Sequence, residues 1–134
     1  KARGFKPTGI DLSDVAIKEA KLYDPEMIYS TGDFIETEFG KFDVIVANKV
    51  VAFNNLDVLI KKITSILSDS GIFILITPVT YKKYGDEYSD RLKSISVDFD
   101  ELNTILGKYF TNIHVVDKRY FEDYGCELTI KASR

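Results

Sequence analysis

Cysteine is nearly missing from this sequence, and so is histidine. Cys126 stands alone among 134 residues, so no intrachain disulfide and no cysteine-based metal site can form. His114 is also single, which excludes a multi-histidine centre and suits a structural role better than a catalytic one. Long apolar runs are missing too. The longest, Gly71-Ile72-Phe73-Ile74-Leu75-Ile76, falls far short of the ~20 residues a membrane-spanning helix needs. Positive charge is not in excess: a formal net charge of -3 and a pI near 5.2 argue against a dedicated nucleic-acid surface, which relies on clustered Lys and Arg. Repeats, low-complexity tracts and linkers are absent, and no Gly-x-Gly occurs anywhere. Lys1, Arg3 and Lys6 read as sparse basic surface, not as a secretory signal. A free thiol suits a reducing compartment, so a cytoplasmic location without membrane attachment is expected.

What is present describes an ordinary globular protein: 45% hydrophobic, 13% aromatic and 29% charged residues. The length fits one domain with a single core, expected over residues 1–134. Strand-like and helix-like segments alternate, the pattern of an α/β protein. Thr8–Asp11 reads as a strand, and Ser13 caps a helix that Asp24-Pro25 stops, because the residue before proline avoids the helical region. Met27–Ser30 is a second short strand. Phe42–Ala47, a near-continuous apolar run, reads as a strand buried on both faces. Asn55 caps a helix whose stripe is Leu56, Leu59, Ile60, Ile63 and Leu67. Ser68-Asp69-Ser70-Gly71 then turns the chain into a buried strand from Ile72 to Thr77, which Pro78 is expected to end.

Residues 81–95 are polar and aromatic without a clean period, fitting either a loop or a short surface helix. Asp98 and Glu101 form a capping-box-like pair flanked by Val97 and Leu102 as a hydrophobic staple, opening a helix to about Tyr109. Two last strands, around residues 113–121 and 127–132, are joined by Glu122-Asp123-Tyr124-Gly125, short enough to make them antiparallel neighbours.

Two acids stand out. Asp11 ends a strand just before a helix, the edge of an open α/β sheet where ligands bind. A carboxylate there either accepts hydrogen bonds from the vicinal hydroxyls of a ribose or merely helps cap the helix. Asp33, in Gly32-Asp33-Phe34 after the next strand, either accepts from an adenine amino group or belongs to a plain Gly-Asp turn. Neighbouring strands place both acids on one rim.

In order and spacing these segments resemble the class I S-adenosylmethionine-dependent methyltransferases. Gly9-Ile10-Asp11-Leu12-Ser13 looks like that family's acidic second motif, and Gly32-Asp33-Phe34 like its adenine-contacting third. Phe42-Asp43-Val44-Ile45-Val46-Ala47-Asn48 is similar to the fourth, and Leu67-Ser68-Asp69-Ser70-Gly71 to the turn into the fifth strand. The terminal hairpin looks like the antiparallel strands that separate this family from NAD-binding folds. The resemblance implies a Rossmann-like methyltransferase sheet, mostly parallel with an antiparallel C-terminal hairpin, and a small-molecule acceptor. It also implies S-adenosyl-L-methionine as cofactor, with Asp11 on the ribose and Asp33 on the adenine amine. Leu12 and Phe34 would sandwich the ring, and Ala47 with Asn48 would face the methionine part.

One departure from the family pattern is the glycine-rich first motif, with its strand and helix. The missing strand would lie between the strands at Thr8 and Asp43, and unpaired backbone groups there would cost about 1–3 kcal/mol each, against a domain stability of about 5–15 kcal/mol. Three situations would resolve this: the residues are the C-terminal two-thirds of a longer domain, another chain supplies the strand, or the flanking strands close the gap. No catalytic base is apparent after the fourth motif, where Lys49-Val50-Val51-Ala52-Phe53 stands. Tyr81, Tyr84 and Tyr88 with Lys82 and Lys83 fall where such enzymes build a substrate cover, or form a solvated lid without chemistry. A non-catalytic scaffold or oligomerisation domain, and an NAD-dependent oxidoreductase fragment lacking the antiparallel end, are the competing readings.

Overall fold

The helix starts follow directly from their first side chains. Ser13 Oγ accepts from the Ala16 N–H at 3.2 Å, Asn55 Oδ1 from Val58 N–H at 3.2 Å, and Asp98 Oδ1 from Glu101 N–H at 3.0 Å. Each satisfies a first-turn donor that has no partner within the helix. The resulting helices are α1 (Asp14–Tyr23), α2 (Leu56–Ile66) and α4 (Phe99–Tyr109), with a short α3 (Asp90–Ile95) capped by Ser89. A computed structural model describes residues 4–50, 55–81, 88–120 and 125–134. The chain divides into two compact units, Lys1–Phe39 and Gly40–Arg134.

In the first unit, β1 (Thr8–Asp11) and β2 (Ile28–Thr31) pair in parallel, with Asp11 opposite Thr31. α1 connects them, and Ile17 is its buried residue. Gly9 is required by close approach: a Cβ there would lie 2.9 Å from the Tyr29 ring.

In the second unit, β4 (Leu67–Thr80) is the central strand. It pairs in parallel with β3 (Phe42–Asn48) and with β5 (Val97–Asp98), and antiparallel with β7 (Cys126–Ser133). β7 in turn pairs antiparallel with β6 (Asn112–Tyr120), giving the order β3-β4-β7-β6. The turn expected over Glu122–Gly125 lies outside the described residues except for Gly125.

Strand alternation sorts this sheet into two faces. Phe73, Leu75, Thr77 and Val79 of β4 share the buried face with Cys126, Leu128, Ile130 and Ala132 of β7. Phe73 stacks on Phe110 at a centroid distance of 5.8 Å, and Leu59, Ile60, Ile63, Leu102 and Leu106 complete the core. The opposite face carries Val44, Val46 and Asn48 of β3, Ile72, Ile74 and Ile76 of β4, and Glu127, Thr129 and Lys131 of β7. α2 ends without a basic residue of its own. Lys41 Nζ reaches back to donate to the Ser65 carbonyl at 2.8 Å and the Leu67 carbonyl at 3.4 Å, placing a cation at the negative end of the helix.

Several expectations are corrected here. β3 is not buried on both faces: among the described residues it is an edge strand, Val46 is 58% exposed, and of its seven residues only Ala47 is buried. Leu67 is fully buried as the stripe requires, but it caps α2 and begins β4. Ser68–Gly71 do not break the strand. They form an irregularity within it, between the pairs Phe42–Leu67 and Val44–Ile72, with Ser68 Oγ donating to Asp43 Oδ1 at 3.1 Å. Pro78 does not end β4 either. The Ile76 carbonyl faces β3, accepting from Lys49 N–H at 2.8 Å, so two residues on the proline nitrogen faces that same flank. There the β3 ladder has ended and the β5 ladder begins only at Val79, so no strand donor is lost. Among the described residues β1 pairs with β2 alone and β3 with β4 alone. β5 was not expected: the staple residue Val97 doubles as a strand residue opposite Val79.

Candidate functional site

The carboxyl ends of β1 and β2 form one rim in the first unit. Asp11 is the last residue of β1, and Gly32-Asp33 follow β2 directly. The Gly32 N–H donates to the Asp11 carbonyl at 3.0 Å, so the two loops are tied together at their acids. Asp11 Oδ1 accepts from Ser13 N–H at 2.8 Å, and Asp33 Oδ1 accepts from Ile35 N–H at 2.8 Å. Thr37 donates to the Asp33 carbonyl through its N–H at 3.0 Å and its hydroxyl at 2.6 Å. Each acid therefore does perform the turn role its position suggested. Using one oxygen on a backbone N–H also fixes the carboxylate's direction, and a carboxylate has about four acceptor positions, so capacity remains for a ligand. Both acids are exposed. Leu12 beside them is 72% exposed, while Phe34 is half-buried and packs on Phe39 at 5.4 Å between centroids.

The second unit has its own rim at the carboxyl ends of β3 and β4. Ala47 is buried beside Leu75, and Asn48 is exposed beside Ile76. The next residue, Lys49, has a left-handed backbone with φ 57°, uncommon for a residue with a side chain. In extended conformation it would point to the helix-covered face. The left-handed turn instead carries Nζ to within 3.2 Å of Glu127 Oε2 on β7, across β4. Sequence reading passed over this pair. Its trace was there: in Cys126–Ala132 apolar and polar residues alternate, which sets Glu127 on the face away from the core.

No family model matches the chain, and no curated protein matches it by sequence. Solved structures do. It is similar to the YcgJ protein from Bacillus subtilis, with a TM-score of 0.78 and 11% identity over 95% of this chain and 82% of that one. It is similar to the magnesium protoporphyrin IX methyltransferase of Synechocystis PCC 6803, solved with bound SAM, with a TM-score of 0.72 and 16% identity over 99% of this chain. A third is the geranyl diphosphate C-methyltransferase of Streptomyces coelicolor A3(2), solved with S-adenosyl-L-homocysteine, with a TM-score of 0.75 and 14% identity over 98% of this chain. The chain has the class I methyltransferase fold. It spans 62% and 63% of those last two proteins, less than two thirds of either.

Within this methyltransferase fold, the antiparallel β6–β7 end is the feature that an NAD-binding fragment would lack. The structure places Asp11, Leu12, Asp33 and Phe34 in the first unit and Ala47 and Asn48 in the second. His114 lies on exposed β6 opposite Lys131. Of the expected tyrosine cover, Lys82, Lys83 and Tyr84 lie outside the described residues. Tyr88 is buried and is no lid: its hydroxyl oxygen accepts from the Tyr81 N–H at 3.1 Å. The Tyr81 hydroxyl sits 3.8 Å from Cys126 Sγ and accepts from Lys118 Nζ at 3.4 Å, and its ring packs on Phe99 at 5.2 Å. Burial pushes the Tyr81 phenol above its ordinary value of 10.0, Cys126 adds to this, and Lys118 partly offsets it. Lys118 is itself raised, chiefly by its hydrogen bond with Tyr120. Among the described residues, no group of three or more His, Cys, Asp or Glu is placed to hold a metal ion, and no helix is long and apolar enough to cross a membrane.

Proposed function

We infer that this chain is the C-terminal part of an S-adenosylmethionine-dependent methyltransferase acting on a small molecule. The observation that carries the reading is the pair of exposed carboxylates, Asp11 and Asp33, on one rim with their loops tied by the Gly32–Asp11 hydrogen bond. The residues fit a nucleoside. Asp11 has acceptor capacity for two vicinal hydroxyls, Asp33 for an exocyclic amine, and exposed Leu12 offers an apolar platform for the ring. Phe34 borders the same ring, and Ala47 with Asn48 are assigned to the methionine part. When bound, the cofactor supplies an electrophilic methyl group. The protein's own contribution is to bind and align its ligand and to exclude water.

Among the described residues β1 and β2 in the first unit and β3 and β6 in the second each have a free edge, and exposed sheet edges are sites of further pairing. The neighbours' chemistry fits a small acceptor: one such structure is an O-methyltransferase from Planctomyces limnophilus in complex with apigenin, to which this chain is 17% identical.

Calorimetric titration with S-adenosyl-L-homocysteine tests the reading. A chain extended to include the residues upstream of Lys1 should bind it at micromolar levels, as roughly -8 kcal/mol of binding free energy implies. The 134 residues alone, as a monodisperse monomer, should bind it poorly. Failure of the extended chain to bind leaves a non-catalytic scaffold with the same fold.

A further inference from the structure

Glu127 is in an unusual position for a stabilising residue. Its side chain is only 13% exposed, on the open face of β7 beside Pro78. Lys49 approaches Oε2 at 3.2 Å as an ion pair, but not at hydrogen-bond geometry, so Oε2 is shielded from water yet lacks a hydrogen-bond partner among the described residues. The Lys49 side chain, 61% exposed, is reached only through a left-handed backbone. Partly buried ion pairs break even at best against apolar residues, and strained backbone persists mainly where a function holds it. Stability therefore does not account for the arrangement. Its location does suggest a use: Asn48, Lys49 and Glu127 lie at the carboxyl end of β3 and β4, where ligands of open α/β sheets bind.

We propose that Lys49 and Glu127 form the recognition site for a hydroxyl group on the methyl acceptor. This rests on the methyltransferase reading and deepens it. Opposite charges side by side discriminate among acceptors by sign. A carboxylate ligand is attracted by Lys49 and repelled by Glu127, and an ammonium meets the reverse. A neutral alcohol or phenol donates a hydrogen bond to Glu127 Oε2 and accepts one from the Lys49 ammonium, satisfying both. Lys49 and Glu127 are specificity-determining residues in this account.

The test uses the full-length, ¹⁵N-labelled protein with three probes of similar shape: phenol, benzylamine and benzoate. Phenol should shift the Asn48, Ile76 and Glu127 amide resonances at least about fivefold more tightly than either charged probe, a difference near 1 kcal/mol. Glu127→Gln should improve benzoate relative to benzylamine, and Lys49→Met should improve benzylamine relative to benzoate. A merely structural pair would weaken all three together or none. Absence of shifts at those amides, or an unchanged ranking across both variants, overturns the proposal. S-adenosyl-L-homocysteine added to the same samples reports on Asp11 and Asp33 separately. Binding of that compound without the phenol pattern sinks the hydroxyl site alone. The phenol pattern without that binding keeps the hydroxyl site and sinks the methyltransferase reading.

Discussion

Replacing Asp11 by asparagine separates the two jobs this carboxylate holds. Asparagine keeps an acceptor oxygen for the Ser13 N–H, now 2.8 Å from Asp11 Oδ1, so the turn into α1 survives. What is lost is the charge. Hydrogen bonds to a charged group contribute about 1.5–3 kcal/mol and neutral ones about 0.5–1.5, so each ribose hydroxyl loses roughly 1 kcal/mol. Two hydroxyls give about 2 kcal/mol, or roughly a thirtyfold weaker affinity for S-adenosyl-L-homocysteine. Asp11→Ala removes the turn acceptor as well, and should lower the melting temperature in addition to the affinity. Calorimetry on the full-length protein, alongside thermal melts of each variant, reads both quantities. Affinity of Asp11→Asn within about threefold of the parent would refute the ribose assignment, since ~0.7 kcal/mol is too little for two charge-assisted bonds. A large loss of melting temperature in Asp11→Asn would refute the separation of roles.

Two other consequences concern the second unit. Asp98→Ala strips the cap from α4 and breaks the bond to Glu101 N–H, and should cost about 0.5–2 kcal/mol in denaturant unfolding with an unchanged slope. Tyr81 and Lys118 both have raised values, so their contribution is fully present below the ordinary tyrosine value of 10.0 and is lost as pH rises through their folded values. Melting temperature should therefore fall with alkaline pH beyond 10.0, and less steeply in Tyr81→Phe, which removes the phenol from burial against Cys126. Equal slopes in the two proteins would contradict that origin.

Much of the fold was legible in the sequence because local chemistry decided it. Ser13, Asn55 and Asp98 announced the helix starts by residue type and spacing, and each caps as read. The alternation in β7 placed its core face correctly. What escaped depended on neighbours. An apolar run such as Val44-Ile45-Val46 reads as doubly buried, but burial also needs a second flanking strand and a covered face, and among the described residues β3 has one partner only. Proline at 78 reads as a strand end, yet its nitrogen happens to face the flank between two ladders. The acids at 11 and 33 were visible because each sits beside a turn signal. Lys49 and Glu127 were not, because nothing in one sequence tells that a residue just past the end of one strand meets a residue of another across a third.

The central claim is that Asp11 and Asp33 bind one nucleoside. A crystal structure of the full-length protein grown with S-adenosyl-L-homocysteine tests it most directly. The account predicts both ribose hydroxyls within hydrogen-bond distance of the Asp11 carboxylate and the adenine amine on Asp33, with Leu12 against the ring. Adenosine density on any other part of the molecule, with both carboxylates facing solvent, would contradict it.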